Sequence, residues 1–377
     1  MKIVILLRIL WTAGAQKIAI REARELQLMG NDVELIFLRG KKLPEYDEIL
    51  EGIRYKIISE TGDSIMSPLY EYVSRKFSPD RGSESRVDYN LIRQFPKYIR
   101  NKNVDYVICH DQLSGLAGYY SFKKLGIKYS VFIHERLSPY YDSILGRVWY
   151  YYEHKILENA ESIFSITEKV ADSVEKVHNL KSIPNYPGMD IQGTTEFSKK
   201  ENILMAVAMW DYGRKPKLYL DIIEKIPSFV LYFVGNFRIK GLEATFKDEI
   251  EKRNLEKMIV IRQGIVESEL IELYQKSKFV IRFGFGEFGL GTATIEAIQN
   301  CVPLIINSDL GTAGLVNRYS CGLVLNNINT DAISKFLEEN NNENSYKKLQ
   351  DNIIKLSNDY TWSKHAEILL SGFHGPK

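Results

Sequence analysis

Short apolar runs of strand length alternate with stretches of helical period along almost the whole chain, and the alternation stops and restarts once, near residue 200. Strands separated by helices do not pair as hairpins; they pair in parallel through crossovers, which commits the chain to an α/β architecture. Residues 2–7 are the first apolar run, read as a buried strand and not a leader because Arg8 interrupts it. Ile18, Ala19, Ala23, Leu26 and Met29 then fall at helical intervals, Gly30 ends that helix, and 33–38 is the next strand. Further strands are read at 106–109, 130–133 and 162–166, with a helix at 114–125. Beyond a stretch holding Pro184 and Pro187, strands recur at 203–207, 229–234, 258–261, 279–281, 303–306 and 323–325, and helices at 343–357 and 362–372 close the chain. The pattern reads as two doubly wound, Rossmann-like α/β domains facing a central cleft: 1–185, a linker 186–202, 203–355, and a C-terminal helix, 356–377, packing back on the first domain. Ligands of such sheets bind beyond the carboxyl ends of the strands. Residues 60–100 break the alternation and read as an irregular insertion, a binding loop or a bland surface excursion.

Fifty basic against forty-eight acidic residues leave a net charge of +2, too balanced for a nucleic-acid binder that works by counterion release. Cys109, Cys301 and Cys321 have neither zinc-site spacing nor a disulfide framework, so they read as buried hydrophobes of a cytoplasmic protein. No apolar run reaches the roughly 20 residues of a membrane span. The aromatic run at Trp149, Tyr150, Tyr151 and Tyr152, beside Arg147, His154 and Lys155, reads as core packing, with a peripheral membrane-surface face as the alternative.

One stretch is more specific. Residues 279–307 hold, in order, a strand, a glycine-containing loop with Glu287, Phe288, Gly289 and Leu290, a helix bearing Glu296 and Ala297, and a strand led by Pro303. This arrangement resembles the family-4 group of retaining glycosyltransferases. Gly14 with its neighbours, the strand ending in His134, Pro184 with Asn185, and Leu273 with Tyr274 agree with the same family, so the resemblance spans nearly the whole chain. It implies the GT-B fold and transfer of a sugar, with retention of configuration, from a nucleotide-sugar donor to a glycan, a lipid-linked or a small-molecule acceptor.

The resemblance also implies roles for residues. Glu296 would accept hydrogen bonds from ribose hydroxyls, and Glu287 would bind hydroxyls of the transferred sugar. Phe288, Gly289, Leu290, Gly291 and Thr292 would form the loop at the donor, and Gly14 the phosphate-side loop of the first domain. His134 would lie near the sugar ring. A departing diphosphate needs cations and backbone amides aimed at it. The family's arginine position is Met209 here and its lysine position is Lys215, so Lys215 with Arg214 would meet that charge, with no metal and no cofactor. Two further departures are visible: eight residues instead of seven separate Glu287 from Glu296, and Gly311-Thr-Ala-Gly314 lacks the acid that often follows the glycines.

A nucleotide-sugar epimerase of the same fold stays open, and the altered glutamate spacing and missing arginine keep open a catalytically silent protein that only binds. No Asp-any-Asp motif occurs, which disfavours a metal-dependent transferase, and residues 8–17 lack the glycine fingerprint of a dinucleotide oxidoreductase.

Overall fold

A computed structural model describes residues 1–10, 14–40, 46–60, 89–137, 144–286 and 289–374. The chain falls into two compact units: Met1–Pro187 together with Trp362–Lys377, and Gly188–Thr361. Each is a parallel sheet flanked by helices.

The first unit runs β1 (Lys2–Ile9), α1 (Gly14–Leu28), β2 (Asp32–Arg39), α2 (Tyr46–Ile49), β3 (Arg54–Ser59), α3 (Tyr89–Ile99), β4 (Tyr106–His110), α4 (Gln112–Leu125), β5 (Lys128–Ile133), α5 (Ile144–Glu158), β6 (Ser162–Ser165), α6 (Glu168–His178) and β7 (Ile183–Pro184). The seven strands lie in the order β3-β2-β1-β4-β5-β6-β7. Strands covered on both faces are apolar on both faces, which is why Ile3 to Leu7 and Tyr106 to Cys109 read as unbroken runs, and all are buried.

The second unit continues with β8 (Glu201–Val207), α7 (Pro216–Ile223), β9 (Val230–Val234), α8 (Leu242–Lys252), β10 (Ile259–Arg262), α9 (Glu267–Lys276), β11 (Ser277–Arg282), α10 (Thr292–Gln299), β12 (Leu304–Asn307), α11 (Ala313–Tyr319), β13 (Gly322–Leu325), α12 (Thr330–Asn340) and α13 (Glu343–Asp359). Its six strands are ordered β10-β9-β8-β11-β12-β13. Trp210 anchors the core, stacked on Phe233 at 3.7 Å with its indole N–H donating to the Val234 carbonyl. The last helix, α14 (Trp362–Ser371), belongs to the first unit. Residue 355, where the sequence reading ends the second domain, lies inside α13.

Three sequence expectations need correction. Residues 89–99 are not irregular: Leu91, Ile92, Phe95 and Ile99 bury one stripe of α3, a pattern disguised by Pro96 within it. The rest of that insertion, 61–88, lies outside the described residues. Strand β3 was not expected because its alternating Arg54 and Lys56 give it no apolar run, as befits a sheet edge. The aromatic run on α5 is only partly core: Tyr150 stacks on His178 at 4.9 Å, but Tyr151 and Tyr152 are 58% and 42% exposed. The three cysteines are free and buried. Among the described residues no helix is long and apolar enough to cross a membrane.

Candidate functional site

In a doubly wound sheet the loops that leave the carboxyl ends of two neighbouring strands diverge where the strand order reverses, and the crevice so opened is where ligands bind. The second unit reverses between β8 and β11. Beyond β8, Asp211 caps a short turn at Tyr212–Arg214 by accepting from the Arg214 amide at 3.0 Å, and Lys215 follows with a positive φ of 48°. The Lys215 ammonium lies over the Phe285 ring, 4.1 Å from its centre. Phe285 belongs to the loop beyond β11, so this contact joins the two loops at the reversal point.

That second loop is held from below by a side-chain amide. Asn307, at the end of β12, accepts from the Gly284 amide at 2.8 Å and donates to the Gly284 carbonyl at 2.7 Å. Gly286 has a φ of 75° and donates to Asp309, and Gly291 has a φ of 64°. Both conformations favour glycine, which lacks the Cβ that would clash. No side chain caps α10 at Gly291. The start of this helix therefore offers backbone N–H groups and the positive end of the helix dipole, a setting suited to an anion. Thr294, buried, sets its hydroxyl 2.7 Å from the Leu290 carbonyl and 3.2 Å from the Thr312 hydroxyl, tying this turn to the loop beyond β12. The Gly311 amide donates to the Gly289 carbonyl at 3.1 Å.

Glu296 lies on α10, half-buried, and accepts from the Tyr274 hydroxyl at 2.9 Å. Tyr274 is fully buried, and burial together with the neighbouring carboxylate holds its phenol well above the ordinary range. It is therefore a fixed donor that holds Glu296 in one rotamer.

The first unit reverses between β1 and β4. Arg8 on β1 pairs with Asp111 at 2.5 Å, and Asp111, at a φ of 96°, also accepts from the Ser114 amide at the head of α4. His110, the last residue of β4, sets Nε2 2.7 Å from a Glu22 oxygen and Nδ1 2.8 Å from His134 Nε2. The second Glu22 oxygen lies 2.7 Å from His365 Nε2. Burial pushes the His134 imidazole down to about 3. Glu22 is held well below the carboxylate range: burial opposes its charge, and the imidazoles of His110 and His365 more than offset that.

Comparison with known families fits this geometry. Residues 12–190 match Glycosyltransferase Family 4, and residues 190–356 match Glycosyl transferases group 1. The chain belongs to the family-4-like glycosyltransferases. No curated protein matches the transferase. Its fold is the GT-B fold of several solved structures. HepE from Anabaena in complex with UDP is 13% identical, with a TM-score of 0.75 over 98% of this chain and 99% of that one. Sucrose-phosphate synthase from Thermosynechococcus elongatus is 15% identical, with a TM-score of 0.72 over 98% and 97%. A glycosyltransferase from Rickettsia africae is 14% identical, with a TM-score of 0.71 over 99% and 97%.

Within the transferase, the structure gathers Arg214, Lys215, Gly289, Leu290, Gly291, Thr292 and Glu296 around the reversal point of the second unit. Gly14 opens α1 and His134 follows β5 in the first unit. Glu287 and Phe288 lie outside the described residues. Met209, at the arginine position, is half exposed beyond β8. Sequence reasoning missed two partners. Tyr274 is part of the resemblance but was given no task, and Glu22 was passed over although it falls in the Ala19, Ala23, Leu26 stripe, where a carboxylate has no business unless it is paired.

Proposed function

We propose that this transferase moves a sugar from a nucleoside-diphosphate sugar to an acceptor, with retention of configuration and without a metal ion. The carrying observation is the contact of Lys215 with Phe285, which ties a cation to the loop that leads from β11 into α10, a helix whose start has no side-chain cap among the described residues. A departing diphosphate develops negative charge, and a fixed ammonium with backbone N–H groups is the complement it needs. Arg214, in the turn just ahead of Lys215, adds a second cation. Glu296, held by Tyr274, is the ribose acceptor, because a carboxylate accepts and ribose hydroxyls can donate to it. By the family resemblance Glu287 is assigned to the sugar hydroxyls, Phe288 to the donor loop and Gly14 to the phosphate side. His134 serves the sugar ring from the first unit. HepE was crystallised with UDP and with UDP-glucose, which makes uridine nucleotides the first donors to try.

Acceptor choice is assigned to the first unit. Val148, Tyr151 and Tyr152 are exposed on α5 beside Arg147 and Lys155, an apolar face with a cationic rim that supports a lipid-linked glycan over a small molecule.

A panel of nucleoside-diphosphate sugars tests the reading, scored first by thermal stabilisation and then by release of nucleotide with a glycan acceptor present. One donor is expected to stabilise the chain, to turn over unchanged in chelator, and to give a product whose anomeric NMR signal keeps the donor configuration. Complete loss of turnover in chelator, or an inverted product, overturns the proposal. Epimerised donor formed without acceptor points instead to an epimerase.

A further inference from the structure

The buried network of the first unit fixes the protonation of each member, and the fixing follows from donor and acceptor counting. Glu22 from α1, His110 from β4 and His365 from α14 carry side chains that are 0%, 1% and 0% exposed. An ionised carboxylate can only accept, so both nitrogens that face Glu22 carry hydrogen: Nε2 of His110 and Nε2 of His365. The other nitrogen of His365, Nδ1, lies 2.8 Å from the Tyr186 carbonyl, which also can only accept. Both ring nitrogens of His365 are therefore donors, and the ring is an imidazolium whose charge balances Glu22. Its faces meet Trp362 at 5.3 Å and Phe132 at 5.8 Å, neither of which brings a second anion.

With the carboxylate charge already balanced, His110 has no anion left to support a second proton. Its Nδ1 is a bare lone pair, and the atom facing it, His134 Nε2 at 2.8 Å, is the donor. His134 is then neutral, protonated on Nε2, with a lone pair on Nδ1. That Nδ1 atom is buried and unpaired among the described residues. Swapping one proton would reverse the outcome: a doubly protonated His110 would need a lone pair on His134 Nε2, and Nδ1 would become a donor.

We infer that Glu22, His110 and His365 are positioning residues that lock His134 in its neutral Nε2–H tautomer, so that Nδ1 accepts a hydrogen bond from a hydroxyl of the substrate sugar. The inference rests on the proposed reading of His134 as a sugar contact, and its protonation pattern can be tested apart from that reading. A sugar hydroxyl can donate or accept, so the bare Nδ1 makes it the donor and thereby sets the direction of its O–H. The C-terminal helix thus enters the chemistry through a contact 343 residues along the chain.

Ring-¹⁵N-labelled histidine in the full chain, read by long-range ¹⁵N–¹H correlation at pH 7, tests the pattern, with the six histidines assigned by single substitutions. His365 is expected to show two protonated nitrogens and His134 a bare Nδ1. A bare nitrogen on His365, or a hydrogen on His134 Nδ1, overturns the inference. Glu22→Gln presents one acceptor and one donor, so it is expected to discharge His365 while leaving the His134 tautomer in place. Glu22→Leu frees His110 to flip, and His134 is expected to gain Nδ1–H while turnover falls about threefold to tenfold, the worth of one neutral hydrogen bond. Binding of UDP alone should stay unchanged in both variants. Should Glu22→Leu fail to fold, the wild-type and Glu22→Gln spectra still decide. Absence of any donor turnover in the wild type, with the ¹⁵N pattern as stated, removes the transferase reading but keeps the relay.

Discussion

At the strand-order reversal of the first unit, two charged groups find partners inside the unit: Arg8 takes Asp111, and Glu22 takes His110 and His365. At the corresponding place in the second unit Arg214 and Lys215 stand in or beside a turn, Lys215 rests on an aromatic face, and the loop that carries that ring turns through glycines at positive φ. The first arrangement is closed around Glu22 and leaves Nδ1 of His134 without a partner among the described residues. The second is open and presents charge. A group that must read a neutral hydroxyl gains from a fixed tautomer, whereas groups that meet a diphosphate gain from charge and from amides that need no rearrangement. The same fold thus prepares opposite electrostatics at equivalent positions.

Removing the pivot of the closed arrangement should produce the largest effect. Glu22→Ala leaves a buried imidazolium without its counter-charge, which costs about 3–5 kcal/mol. The loss should fall on the first unit, because α1, β4 and α14 are all held by this carboxylate. Calorimetry should show one transition moving down and another, from Gly188–Thr361, staying in place. Equal shifts of both would mean that the units do not melt separately.

Next in size is the open arrangement's own carboxylate. Glu296→Gln should weaken UDP binding roughly ten- to a hundredfold, since charge-assisted bonds to hydroxyls are lost. Tyr274→Phe keeps the carboxylate but frees its rotamer, and should cost about threefold to tenfold, the value of one neutral hydrogen bond. Glu287→Gln should leave UDP binding as it was and lower turnover of the intact donor. Titration calorimetry beside initial rates separates the three variants; a Tyr274→Phe loss as large as that of Glu296→Gln would show the phenol itself to be the ligand.

Acidification distinguishes the units without any substitution. His134 has a folded value of about 3, below its unfolded value, so the fold favours the neutral ring. That stability is present above an unfolded value near ~6.5 and is lost as pH falls toward about 3, amounting to about 1 kcal/mol between pH 7 and pH 5.5. Glu22, also depressed, adds a loss of the same sign at lower pH. In the second unit the buried Lys200 has a folded value of about 8, below its unfolded one, so the change it brings lies above this window. Amide exchange in β4 and β5 should quicken between pH 7 and 5.5, after correction for the intrinsic rate, with β8 and β11 unaffected.

Most of the fold was legible because parallel strands covered on both faces must be apolar throughout, and such runs stand out wherever they occur. β3 and α3 were not, since one is an edge with alternating basic residues and the other carries a proline. Of the candidate site, the order of elements around Glu296 and the place of His134 after a strand could be read. Their supports could not. The burial of Glu22 depends on His365, which the chain returns only with its last helix, and no local pattern reports such a closure. What the helix did offer was a carboxylate in an apolar stripe, a conflict between residue type and position that signals a buried partner.

The smallest expected effect probes the contact that joins the two loops of the second unit. Lys215 is exposed and its ammonium sits over Phe285, an interaction worth about 0.5–1 kcal/mol at an exposed site. Phe285→Leu keeps the apolar surface and removes the ring's negative face, so Lys215 keeps its charge and loses its station. UDP should then bind about two- to fivefold more weakly, with the deficit growing at high salt because a roaming ammonium contributes only long-range attraction, which salt screens. Lys215→Met should cost more and abolish that salt dependence. If Phe285→Leu equals Lys215→Met, the ring is itself a stacking surface for the ligand, and the comparison of a closed first unit with a charge-presenting second one must be redrawn around an aromatic platform.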